Sequence, residues 1–332
     1  MKEILVKDII RECNASLIIG NENLKIENFS KDTREINEND CYIGIKGETF
    51  DGNLFYEDAF KKGSSACILE KESVKDIDFR NYNDKTIILV DNSIKALQEL
   101  AAYKRSLYDI PVIAVTGSVG KTSTKEIISS VLSTKYNVLK TEGNYNNEIG
   151  EPLTVLKIRD NHEIAVIEMG ISDFEEMHRL AKVSKPDVCV ITNIGTCHLE
   201  NLGDRDGVFK AKTEMFDYAS KDCFVVLNGD DDKLSNVKEV NGHAPVFFGI
   251  DTDRDVMAIK YESLGIRGTK VKIKYFDKEL DTVIPIPGYH MIYNAMAAVC
   301  IGSHFGMTLD EIDSGIRNLK AIGGRNNIFT TN

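Results

Sequence analysis

AVTGSVGKTSTKE, residues 114–126, is the stretch from which the fold can be read. The apolar run VIAV leads into it and an amphipathic helix, expected over residues 121–133, leads out of it. The common phosphate loop reads G-x-x-x-x-G-K-[ST]. Here Val115 stands where its first glycine would be, which leaves the shorter Gly117-x-x-Gly120-Lys121-Thr122. Strand, glycine loop and helix is nevertheless the context that phosphate binding needs. Glycines let backbone N–H groups turn onto phosphate oxygens, and a helix N-terminus favours the negative charge. The nucleotide contacts expected are Thr116, Gly117, Ser118, Val119, Gly120, Lys121, Thr122 and Ser123. Lys121 would meet the terminal phosphates, and the Thr122 hydroxyl would ligate Mg²⁺. A plain glycine turn is the alternative, and the Gly-Lys-Thr ending speaks against it.

Working outward, the strand-like runs EIAVIEMG (163–170), DVCVITNIG (187–195) and CFVVLNGD (223–230) alternate with helical stretches. Near-continuous apolar strands alternating with helices indicate a mainly parallel sheet covered on both faces. Ser172 and Glu175 read as a capping box that opens one of these helices. Residues 256–286 break the rhythm and read as antiparallel strands at a sheet edge, followed by helices at 289–305 and 308–319. Upstream, LIIG, CYIGI, ACILE and TIILV are short strands, and residues 94–108 show helical spacing before Asp109, Ile110 and Pro111 interrupt it. The expected class is α/β. A small mixed α/β N-terminal domain spans 1–107, and a phosphate-loop domain spans 108–322.

Composition sets bounds on function. The chain has 332 residues, 42% hydrophobic and 28% charged, with a net charge of −11. That charge argues against non-specific binding to nucleic acid or anionic membranes. MKEILVKDIIREC at the start lacks the apolar core of a signal peptide. No run approaches the ~20 apolar residues of a membrane span. The seven cysteines are scattered without a C-x-x-C pair and read as reduced core residues of a cytoplasmic protein.

Three further residues and one asparagine cluster are candidates for chemistry. Glu168 ends an apolar strand, at the edge where ligands collect in open α/β sheets. A carboxylate there needs a partner. Mg²⁺ would supply one, and so would a neighbouring helix N-terminus. His198 lies just beyond the next strand and by itself reads as a loop residue, but it shares that sheet edge. Lys212, on an apparent helix, reads from spacing alone as a solvated lysine. Asn144, Asn146 and Asn147 crowd the stretch TEGNYNNEIGEPLTVL, residues 141–156. Such clusters favour turns, although paired donors and acceptors also suit amide groups.

The segments TGSVGKTSTKE, GNYNNEIGEPLTVL, VIEMG, PDVCVITNIGTCHLE, FKAKTEMF and GYHMIYNAMAA follow one another in this order. Together they resemble the Mur ligase family of peptidoglycan synthesis, in which the short G-x-x-G-K-T loop is normal. SKDTRE and CYIGIKGETFDGN resemble that family's UDP-binding domain, so the resemblance covers essentially the whole chain. It implies ATP and Mg²⁺ as cofactors. Lys121, Glu168, His198 and Lys212 become the catalytic set, with Thr122, Glu168, His198 and Lys212 around the metal and Lys212 carbamylated. Asn294 would lie near the nucleotide base, and Arg325 would reach ATP from residues 323–332, a hinge at the start of a missing C-terminal domain. Ser30, Thr33, Arg34, Thr49, Asp51, Gly52 and Asn53 would surround the uridine diphosphate, with Asn144, Asn146 and Asn147 also on substrate. Two departures are Asn53, where the family commonly has histidine, and Thr33, where it commonly has serine.

The asparagine stretch followed by I-G-x-P-L-T resembles one branch of the family. That branch joins D-alanyl-D-alanine to UDP-MurNAc-tripeptide through an acyl phosphate. The resemblance further implies a monomeric, cytoplasmic ligase with neither nucleic-acid partner nor membrane insertion. Family members carry another C-terminal domain with an Asp-Asp-x-Tyr-Asn-Ala-Asn-Pro-like stretch, which these residues lack. The expectation is therefore a truncated chain with impaired activity. A sibling ligase adding the third amino acid and a non-catalytic binder of nucleotide and UDP-sugar-peptide remain the alternatives.

Overall fold

Apolar strands of five residues or fewer cannot stand alone, and the computed structural model shows how they are paired. It describes residues 2–250 and 253–320. Arg325 and the 323–332 hinge lie outside the described residues. The chain divides into two compact units.

The first unit comprises residues 1–109 together with 148–160. Its five-stranded sheet runs in the order Ser16–Ile19, Thr86–Val90, Ala66–Glu70, Cys41–Ile43, Phe29–Ser30. The last four are mutually parallel, and Ser16–Ile19 pairs antiparallel with Thr86–Val90. The helix Ser93–Ser106 is capped by the Asn92 side chain, which accepts from the Lys95 N–H at 2.8 Å. The helix Gly150–Val155, from the stretch after the asparagine cluster, belongs to this unit and packs against Ser93–Ser106. Nothing in local periodicity announces that return, because it depends on contacts some 50 residues apart in sequence.

The second unit comprises residues 110–147 and 161–332. Among the described residues its sheet has nine strands. They run Lys278–Ile284, Thr269–Tyr275, Val256–Ser263, Val246–Gly249, Phe224–Asn228, Val188–Ile191, Val112–Thr116, Ile164–Glu168, Val138–Lys140. The pairings from Val138–Lys140 through Val256–Ser263 are parallel, and the last two are antiparallel. This is the mainly parallel sheet with an antiparallel edge that the alternation of elements predicts. The helices Lys121–Leu132, His290–His304 and Leu309–Arg317 pack together and fill the core with Ile127, Ile128, Val131, Met296 and Ile312. No helix among the described residues is long and apolar enough to cross a membrane.

Three local expectations change. Val138–Lys140 and Val246–Gly249 are strands that a three- or four-residue pattern does not reveal. The Ser172–Glu175 capping box does not form. The helix begins at Glu176, because Glu175 takes a left-handed φ of 64°. The Glu176 carboxylate instead accepts from the Ser172 N–H at 2.7 Å, which ties the preceding turn to the helix without capping it.

Glu151, in the Gly150–Val155 helix, is fully buried and neither of its carboxyl oxygens has a hydrogen-bond partner. Burial pushes its carboxyl well above the ordinary 4.5. The folded protein thus keeps a proton that the unfolded chain releases, and stability falls as pH rises above about 4.5. Glu151→Met is expected to stabilise the protein by roughly 1–3 kcal/mol near neutral pH, and by less at pH 5. Urea unfolding at the two pH values measures this, and an equal gain at both contradicts it.

Candidate active site

The Val112–Thr116 strand delivers the glycine loop, and the following strand end holds it. Thr192 N–H donates to Thr116 O, Ser118 N–H to Asn193 O (3.0 Å) and Val119 N–H to Asn193 Oδ1 (3.1 Å). Thr192 Oγ1 donates to Val119 O at 2.6 Å, and Gly195 N–H donates to Ser118 Oγ at 2.7 Å. Gly117 has a φ of 150°, and a Cβ there would stand 2.0 Å from Thr192 Oγ1. Gly120 takes a φ of 84° at the helix start, where a left-handed turn swings the chain into Lys121–Leu132. The N–H groups at the start of that helix have no intrahelical acceptor. Lys121 Nζ donates to Gly117 O at 2.8 Å. Thr116 is buried and donates to Met169 O, so it braces the loop from below.

Register brings the acid to the loop. Glu168 pairs with Val115 across the parallel strands, one residue before Thr116. It is only 1% exposed. Its Oε1 accepts from Thr122 Oγ1 at 3.1 Å and from Asn146 Nδ2 at 2.8 Å. Its Oε2 is buried without a hydrogen bond, 4.0 Å from Lys125 Nζ. Lys125 is itself 1% exposed; it donates to Thr141 O at 2.6 Å and pairs with Glu126 at 2.8 Å. The sequence reading did not single it out. A lysine in a helix buried on nearly every side is the signal that would have found it.

Lys212, on the helix Arg205–Thr213, is also 1% exposed. Burial first, and then the nearby Lys121 charge, push its ammonium down to about 8 from 10.5. The solvated-lysine reading from spacing is therefore overturned. His198 lies on an exposed turn with a left-handed φ of 53°. Among the described residues no group of three or more His, Cys, Asp or Glu side chains gathers where a metal could be held. Thr122 and Glu168 would offer a cation here one hydroxyl and one carboxylate. The unbonded, buried Oε2 fits that use.

A cavity of about 750 Å³ opens beside the loop, lined among others by Val119, Gly120, Ser123, Thr192, Tyr293 and Asn294. Asn294 is 5% exposed and accepts from Thr124 Oγ1 at 2.9 Å. Of the asparagine cluster, Asn144 and Asn147 are exposed and Asn146 turns inward to Glu168.

In the first unit, Ser30 Oγ bonds the Asp32 backbone, and exposed Arg34 pairs with Asp32 at 2.6 Å, holding that carboxyl near 2. Thr33 half-emerges beside them, and Thr49 is exposed. Asp51 accepts from Asn53 Nδ2 (2.7 Å) and Ser73 Oγ (2.6 Å). Asn53 is fully buried and accepts from the Glu70 N–H, so its amide is committed within its own unit. Gly52 passes so close to Ile45 that a Cβ would lie 2.4 Å from its carbonyl oxygen.

A strand, a glycine loop and a helix opening on Lys-Thr, with a buried acid on the neighbouring strand, define a phosphate-loop nucleotide domain. The chain belongs to the Mur ligase family: the model of the Mur ligase middle domain matches residues 115–302, and that of the Mur ligase family, catalytic domain, matches residues 25–105. The UDP-N-acetylmuramoyl-tripeptide–D-alanyl-D-alanine ligase of Bacillus subtilis (strain 168) is 38% identical, over 93% of this chain and 65% of its own length. A crystal structure of MurF from Acinetobacter baumannii superposes with a TM-score of 0.89 at 28% identity, covering 100% of this chain and 71% of that one. MurF ligase from Thermotoga maritima in complex with ADP gives 0.77 at 32% identity, over 90% of this chain and 67% of that one. The chain thus spans just under two thirds of the length of the first curated relatives it matches.

Gly117→Ala is expected to weaken ADP binding at least about tenfold, because the loop cannot keep its approach to Thr192. Titration calorimetry on the folded variant measures this, and wild-type affinity would contradict the packing argument.

Proposed function

We propose that this chain acts in ATP-dependent amide ligation, joining D-alanyl-D-alanine to a UDP-MurNAc-tripeptide. One observation carries the reading: the phosphate loop, Thr122, buried Glu168 and the Asn294 cavity meet on one sheet edge. The names of the relatives supply the substrates. ATP would phosphorylate the tripeptide carboxylate, the dipeptide amine would attack the acyl phosphate, and phosphate would leave. Lys121 and the loop N–H groups would hold the transferring phosphoryl group, whose charge is where such catalysis acts. Thr122 and Glu168 would hold Mg²⁺, which neutralises phosphate charge when bound. His198 is assigned to the same metal through the family pattern alone, as are Ser30, Thr33, Arg34, Thr49, Asp51, Gly52 and Asn53 to the uridine diphosphate.

Lys212 is proposed to be carbamylated. Only a neutral amine adds to CO₂, giving the carbamate and a proton. A shift from 10.5 to about 8 raises the neutral fraction at pH 7 by about 300-fold. The resulting anion would also relieve the repulsion between Lys212 and Lys121.

Calorimetry of residues 1–332 with MgADP tests the nucleotide reading. Binding is expected, and Lys121→Ala should weaken it at least about tenfold by removing a charge-assisted phosphate contact. No binding by the folded wild-type chain would overturn it. For Lys212, ¹³C-bicarbonate should give a carbamate carbon signal in the wild type that Lys212→Ala lacks. Identical spectra from the two proteins would overturn that assignment. In a ligation assay, product must require ATP, UDP-MurNAc-tripeptide and D-alanyl-D-alanine together.

A further inference from the structure

Residues 141–147 close a ring of hydrogen bonds around Glu168. Thr141 is fully buried at the entry. Its N–H donates to Val166 O (3.0 Å), its Oγ1 accepts from the Glu168 N–H (2.9 Å), and its carbonyl accepts from Lys125 Nζ (2.6 Å). Asn146 stands at the exit. Its N–H donates to Asn144 O (2.8 Å), its carbonyl accepts from the Gly170 N–H (2.7 Å), and its Nδ2 donates to Glu168 Oε1 (2.8 Å). The amide orientation follows from chemistry, since an ionised carboxylate has no proton to give. Gly170 permits the approach: a Cβ there would stand 3.1 Å from the Asn146 amide.

Two donors, Asn146 Nδ2 and Thr122 Oγ1, therefore converge on a single oxygen of Glu168. They fix the carboxylate's rotation and leave the other oxygen buried without a hydrogen bond, with the Lys125 ammonium 4.0 Å away as a charge partner. A donor pair that occupies one oxygen and presents its twin is what an outer-shell partner does for a metal ligand.

We propose that Asn146 is a positioning residue for the metal site, aiming Glu168 Oε2 at a divalent cation, rather than a contact to substrate. This rests on the reading of Glu168 as a Mg²⁺ ligand. It separates Asn146 from Asn144 and Asn147, which face solvent. The asparagine loop then sets the direction of the metal-binding oxygen.

The test uses the 332-residue chain with ADP and Mn²⁺ as a paramagnetic probe, the free ion being counted by electron paramagnetic resonance. Losing an outer-shell partner costs roughly 10–100-fold in metal affinity. Asn146→Ala should weaken Mn²⁺ binding to the ADP complex by at least about tenfold while ADP affinity without metal stays within about twofold. Asn146→Asp, which keeps the shape but replaces a donor by an acceptor, should lose at least as much. Gly170→Ala, which pushes the amide away without touching it chemically, should shift Mn²⁺ affinity in the same direction. Glu168→Gln separates the two levels. If it keeps wild-type Mn²⁺ affinity, the metal reading itself falls. If it loses Mn²⁺ while the Asn146 variants keep it, the positioning role falls alone. Metal-free ADP affinity falling in parallel with Mn²⁺ affinity, or failure of all the Asn146 and Gly170 variants to fold, would make the contact a folding element and overturn the proposal.

Discussion

A carboxylate removed from water is the constraint around which the second unit is arranged. An ionised acid at 1% exposure is costly unless donors and cations surround it. Glu168 collects them from three separate places: Thr122 on the loop helix, Asn146 beyond the edge strand, and Lys125 one turn further along the same helix. Each depends on register. The pairing of Glu168 with Val115 sets the acid level with the loop. A slip of one residue would turn the side chain to the opposite face of the sheet. The short Val138–Lys140 strand matters for the same reason, since it delivers Thr141 to the Glu168 backbone.

The glycine loop is held as firmly as the acid. Its backbone is bonded to Asn193 and Thr192, which themselves extend the Val188–Ile191 strand. Phosphate-binding N–H groups held in place in advance need no reorganisation when charge develops, which is the condition for strong electrostatic stabilisation. The shortened spacing fits this arrangement. Gly117, at the first turn after the strand, stands where a Cβ would collide with Thr192 Oγ1.

How much of this could be read from the residues varies with distance along the chain. Strand, loop and helix around Gly117–Thr122 are local, and they were legible from apolar runs and glycine spacing. The nine-strand order was legible only as a class, since pairing partners come from all over the chain. The helix Gly150–Val155 follows the asparagine stretch directly, yet it counts with residues 1–109, a return visible only in the fold. Asn146 reads like Asn144 and Asn147 until the backbone turns it toward Glu168. Lys212 looked solvated because a helix of mixed charge, RDGVFKAKT, does not reveal which lysine points inward. The family resemblance singled out Lys212, which spacing read as solvated, and Glu168, which spacing left undecided. It gave no hint of Lys125.

The same desolvation acts in opposite senses on the two kinds of charge in the site. It makes Glu168 depend on donors, and it drives Lys212 toward the neutral amine. Lys121 sharpens the second effect, because a nearby ammonium disfavours a second like charge. The chain carries a net charge of −11, so this gathering of cations is local and opposed to the average. Lys121 meets its hydrogen bond on Gly117 O, within the loop that a phosphate would enter. An incoming polyanion would draw Lys121 off that carbonyl and screen it from Lys212. A carbamate on Lys212 would invert the sign of that neighbour and turn a repulsive pair into an attractive one. Burial thus acts on both halves of the site: it leaves one oxygen of Glu168 without a hydrogen bond, 4.0 Å from the Lys125 ammonium, and it makes the Lys212 ammonium easier to deprotonate.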